Sequence, residues 1–244
     1  MEAKGPPMES SLLMKSLVLG VRYEPQYRVR DYMGTLIDAI LHAASSPFSP
    51  TVFPYTEANP IGQDLYNLET GNTLKINQSD TVLEFNLGTA DLQRVSNLGK
   101  DFQTYVLEPL HKICSVSRIA RYGVLVRFDP KGMIGLQRPT VRYKDPDLPD
   151  PKDFGVRFSH KLPTNEGYSR KNVSDYRNVI YSLFETAAGE ISLSLDYQEY
   201  FIPMLEASEW SSHPFPSFVD GGILYHRTTF AKWIGSLKKT EQAA

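Results

Sequence analysis

Apolar residues recur three or four positions apart through Leu92, Val95, Leu98, Phe102, Val106, Leu110 and Ile113. That is the spacing of a helix that buries one face. Directly after it, residues 118–128 alternate, with Ala120, Tyr122, Val124, Val126 and Phe128 on one side, which predicts a half-buried strand. This helix and strand form the centre of the expected core, with further strands beside them. The same reading places a first strand at 17–23 and a helix over 28–43 with Val29, Met33, Leu36, Ile37 and Ile40 on one stripe. Pro47 and Pro50 stop that helix, since proline cannot continue it. Short strands are expected at 51–55, 64–69, 73–76 and 81–87, the last three an antiparallel meander turned by Gly71-Asn72 and Ser79-Asp80. Asp91 is the expected N-cap of the long helix. Pro109, inside that helix, predicts a kink near Tyr105, because proline removes a hydrogen bond there.

Beyond Asp129 the pattern is broken by Pro130, Pro139, Pro146, Pro149 and Pro151, which reads as a linker or crossing loop over 131–153. A strand at 154–162 and a polar loop at 163–174 follow. The strands 176–186 and 190–201 then form a hairpin around Ala187-Ala-Gly189. A last helix begins near residue 220, capped by Ser217 or Asp220, with Ile223, Phe230, Trp233, Ile234 and Leu237 as its apolar stripe. The expected fold is α+β, two sheet-and-helix halves over 12–130 and 154–239, with mainly antiparallel strands and helices packed on the sheets. Residues 1–11 read as a mobile leader and 240–244 as a tail.

One short pattern recurs: Val21-Arg22-Tyr23, Val126-Arg127-Phe128, Val141-Arg142-Tyr143 and Val156-Arg157-Phe158. Ordinary strand alternation produces it. A sharper reading is an old duplication whose strands align several arginines on one sheet face.

Net charge is −2, so no whole-protein field attracts nucleic acid or membrane. The charge is unevenly spread: residues 118–171 hold twelve Lys/Arg and six Asp/Glu, +6 against −8 for the remainder. Tyr122, Phe128, Tyr143, Phe154, Phe158 and Tyr168 interleave with that basic stretch. Within it Arg138, Arg142, Lys144, Arg157, Lys161, Arg170 and Lys171 are the candidate binding residues, able to track a nucleic-acid backbone or to clamp an acidic partner. The same charges can equally face the acidic remainder of the molecule.

Catalytic and metal signatures are missing from the sequence. His42, His111, His160, His213 and His226 are nowhere three to five residues apart, and Cys114 has no partner cysteine. There is no Gly-x-Ser-x-Gly elbow and no phosphate-binding glycine motif. Asp220-Gly-Gly222 before the last helix reads as a turn, and Glu190, Asp196 and Glu199 as a solvated strand face. No cofactor is expected. No apolar run approaches the roughly 20 residues of a membrane span, and the first residues lack a signal-peptide core, so the expected location is the cytoplasm.

The long helix running into residues 117–128, a first strand like 17–23, a late strand like 191–196 and a helix like 224–230 together resemble a sporadically distributed prokaryotic family of uncharacterised proteins of about this length. Where members carry an Asn soon after the central aromatic, this chain has Asp129-Pro130. The resemblance carries no catalytic residue over. By analogy of occurrence it implies an accessory role, as in defence or toxin-associated loci. The expected function is thus a non-enzymatic binding protein acting on a protein partner or by self-association. The alternatives are a nucleic-acid-binding accessory factor using 118–171, and an enzyme with a dispersed site.

Overall fold

The computed structural model describes residues 13–88, 92–129, 154–163, 170, 173–185, 191–230 and 232–233. The expected leader, the Asp91 cap, the 131–153 linker, the turn at 187–189 and everything after Trp233 lie outside them.

Nine strands form one antiparallel sheet. They are β1 (Leu13–Tyr23), β2 (Tyr55–Asn59), β3 (Gly62–Tyr66), β4 (Thr73–Asn77), β5 (Asp80–Asn86), β6 (Arg118–Asp129), β7 (Phe154–Pro163), β8 (Tyr176–Glu185) and β9 (Ile191–Glu206). Their order is β2-β3-β4-β5-β1-β6-β9-β8-β7. Two meanders, one from each side of the proline-rich stretch, flank β1 and β6. Where two halves were expected, the described residues form a single sheet: β6 pairs with β9 from Phe128↔Leu193 to Arg118↔Glu206.

Alternation gives each strand one buried side. Leu17, Leu19, Val21 and Tyr23 of β1 meet Tyr122, Val124, Val126 and Phe128 of β6 there, beside Leu193, Leu195, Tyr197 and Phe201 of β9. The helices cover that side. These are α1 (Arg28–Asp31), α2 (Met33–Leu41), α3 (Leu92–Phe102), α4 (Glu108–Cys114) and α5 (Phe215–Tyr225). The α3 helix lies against β1 and α5, and α2 against α4. Gly222 lets α5 come close to the sheet, since a Cβ there would stand 2.6 Å from Val124 Cγ1. The Tyr122 ring sits edge-on to Phe201 and Phe215, each 5.0 Å between centroids. Cys114 is buried at the end of α4, and burial raises its thiol pKa to about 11, which leaves it unreactive.

The long helix runs unbroken through α3, a π-helical turn at Gln103–Leu107, and α4. The widened turn is centred on Tyr105, the residue whose α-helical partner would be the N–H that Pro109 does not have. Other boundaries move. The 28–43 helix is interrupted at Tyr32, whose ψ of 16° leaves the helical region. Residues 51–53 turn instead of extending, with Val52 and Phe53 donating to the Ser49 carbonyl, and the strand forms at β2. The last helix begins at Phe215 rather than near 220, because Pro216 falls in its first turn, where no N–H is needed. It passes into a second π-helical turn, His226–Phe230.

Candidate functional site

The opposite side of the sheet carries no helix among the described residues. The register lays its side chains out in rows across the strands. One row reads Arg157, Ser182, Ser194, Arg127, Ser16 from β7 to β1. The next but one reads Lys161, Asn178, Gln198, Gly123, Gly20, Val82, Lys75. A third reads Tyr176, Tyr200, Arg121, Arg22, Asp80. Arg22, Arg127 and Arg157, the described arginines of the recurring Val-Arg-aromatic pattern, share this open side. Their aromatic neighbours Tyr23, Phe128 and Phe158 point to the helices. Alternation with period two is sufficient to place them so.

At the middle of this side Gly20 and Gly123 stand directly opposite each other, with Val18, Val82 and Leu125 around them. They floor a hollow of about 470 Å³ whose rim includes Arg22, Asp80, Arg121, Asp196 and Gln198. A Cβ built on Gly20 or Gly123 would meet nothing nearer than 3.8 Å, so the backbone packing does not require glycine at either place. Glycine inside a strand costs roughly 0.5–1 kcal/mol relative to alanine and leaves room for another group to approach.

A hydrogen-bonded chain borders the hollow. Arg121 donates to Tyr200 Oη (3.3 Å), Tyr200 donates to Gln198 Oε1 (2.8 Å), and Gln198 Nε2 donates to Asp196 Oδ2 (2.6 Å). Burial raises the Asp196 pKa, against the lowering effect of Gln198, Arg121 and Arg157. Tyr176 and Tyr200 stack at 4.8 Å and 8°. Lys161 Nζ lies 4.0 Å from the Tyr176 centroid, and the Arg121 guanidinium 5.6 Å from that of Tyr200. Charges of both signs alternate over the side: Arg127 pairs with Glu84, and Lys75 with Asp64 at 3.4 Å.

Of the sequence candidates, Arg157 and Lys161 lie exposed on this side, in β7. Arg170 does not join them. Its guanidinium is enclosed by Asp175 (2.6 Å) and Glu209 (3.0 Å), and donates to the carbonyls of Pro203 (2.9 Å) and Met204 (3.3 Å). Its side chain is 4% exposed, a clasp inside the fold rather than a surface cation. Arg138, Arg142, Lys144 and Lys171 lie outside the described residues. The acids separate as well: Asp196 faces the hollow, whereas Glu199 is buried on the helix side within 3.6 Å of Arg177. Sequence reasoning placed Arg22 in the recurring pattern but not among the binding candidates, and missed Arg121 and the glycine pair, although two glycines inside alternating strands were a visible signal.

Among the described residues no group of three or more His, Cys, Asp or Glu stands where it could hold a metal ion, and no helix is long and apolar enough to cross a membrane. No protein-family model matches the chain, and a search of curated proteins finds no match.

Proposed function

We propose that this chain is a non-enzymatic binding protein that takes a protein partner on the open side of its sheet, over the hollow. The observation that carries this reading is the Gly20–Gly123 floor. Two adjacent central strands give up side chains where the fold has room for them, and close approach of another molecule accounts for that. The mixture of Arg, Lys, Asp and Glu on this side favours a protein over a polyphosphate backbone, which calls for cations alone. The tyrosine pair agrees, because base stacking needs free ring faces. Here the rings face each other, Lys161 and Arg121.

Affinity capture from the native host, using the full chain and its Gly123→Leu variant, tests the reading. We expect a protein partner with the wild type and its loss with Gly123→Leu. The alanine variant Gly123→Ala should be more stable than wild type by about 0.5–1 kcal/mol in chemical denaturation, since strand glycine is replaced without a clash. A partner that Gly123→Leu still holds, or recovery of nucleic acid in place of protein, would overturn the assignment.

A further inference from the structure

Arg22 and Arg121 are register partners on adjacent strands at one end of the hollow. Like charges directly opposite one another destabilise a sheet. Two other cations on this side are answered, Arg127 by Glu84 and Ser16 and Lys75 by Asp64, while Lys161 lies over the Tyr176 ring. For Arg22 and Arg121 no carboxylate stands within ion-pair distance among the described residues. Asp80, across from Arg22, is held by its own turn, accepting from Asn77 Nδ2 (2.9 Å) and Ser79 Oγ (3.5 Å). Asp196 accepts from Gln198 and feels the charge of Arg121 without coming within ion-pair distance of it. Tyr200 steadies the Arg121 guanidinium by a hydrogen bond and by its ring, both neutral contacts. Beside this pair the floor of the hollow is apolar, made of the two glycines with Val18, Val82 and Leu125, below a rim that also carries Asp80, Asp196 and Gln198.

We infer that Arg22 and Arg121 receive a carboxylate side chain of the partner protein, while a neighbouring apolar side chain of the same segment enters the hollow over Gly20 and Gly123. The inference rests on the open-side reading and narrows it to a segment in which an acidic residue adjoins a bulky apolar one. Guanidinium groups suit a carboxylate because their donors are planar and permanently charged. The apolar floor supplies burial, and the absent Cβ atoms supply depth.

The test uses the full chain and three synthetic pentapeptides with capped ends, Ser-Glu-Phe-Glu-Ser, Ser-Gln-Phe-Gln-Ser and Ser-Lys-Phe-Lys-Ser, followed through amide resonances in NMR titrations. The Glu peptide should shift the Gly20 and Gly123 amides saturably. The Gln and Lys peptides should bind at least roughly tenfold more weakly, the loss of one charge-assisted contact. The double variant Arg22→Gln/Arg121→Gln, whose two sites are on the surface and leave the core intact, should abolish the difference between the Glu and Gln peptides. Equal response to all three peptides overturns the inference. So does a ten-nucleotide single-stranded DNA that shifts the same amides at lower concentration than the Glu peptide, which would assign the arginines to phosphate. If the double variant still captures the host partner while Gly123→Leu does not, the carboxylate contact is refuted and the open-side reading survives.

Discussion

His226 is buried against the ring of Phe128, 4.6 Å between centroids, and neither ring nitrogen has a hydrogen-bond partner among the described residues. Burial, aided by the charge of Arg227, lowers its pKa to about 4. The unfolded chain takes up this proton near the ordinary value of about 6.5, the folded chain only near 4. Its contribution to stability is therefore complete above that ordinary value and is lost as the pH falls toward 4, by about 3 kcal/mol. Asp196, with a raised pKa, acts in the opposite sense on acidification, so the histidine is isolated by comparison with His226→Phe. Denaturation at pH 7 and pH 4.5 should show the wild type losing stability relative to that variant; equal losses would place a hydrogen-bond partner on the ring. Arg170 makes the second point at this scale. Removing it by Arg170→Ala leaves the Asp175 carboxylate buried without its countercharge, and should cost about 3–5 kcal/mol in urea denaturation. A loss below about 1 kcal/mol, the scale of an exposed pair, would contradict the enclosed geometry.

The α5 helix and the π-helical turn after it close the far end of the core. Phe230 is fully buried, stacked on Phe128 at 5.2 Å and Tyr181 at 5.4 Å, while Trp233 beyond it is only half-buried. Phe230→Ala should accordingly destabilise by about 3–5 kcal/mol, measured by thermal or chemical unfolding. Trp233→Ala should cost less, a reversal of what the apolar stripe alone suggests. Long periodic elements were legible in the sequence: the 92–113 helix, the 118–128 strand and the 176–201 hairpin, because burial imposes their spacing directly. An irregularity near Tyr105 was legible as well, since it follows from a missing N–H, although it takes the form of a π-helical turn. The strand expected at 51–55 was not, because a local turn to Ser49 outweighs the β propensity of Thr51, Val52 and Phe53. The hollow was hidden for a different reason. Its glycines and arginines meet only through the pairing of β1 with β6, and a long-range register is not written in either strand alone.

For the molecule as a whole, the pairing of β6 with β9 puts both sides of the proline-rich stretch in one sheet. We expect a single cooperative unfolding transition, with equal calorimetric and van't Hoff enthalpies. Two resolved transitions would mean that the meanders melt as separate units. The central position of β1 has a further consequence, in the order of synthesis. Its partners β5 and β6 lie downstream of it, and the strand on its second side is complete only at Asp129. A ribosome adding about 5–20 residues per second needs roughly 5–20 s to go from Tyr23 to Asp129. During that interval the apolar residues of β1 wait without their final neighbours. Of the described strands β1 waits longest between its own completion and that of its second neighbour, so its apolar residues have the greatest need of chaperone protection during synthesis.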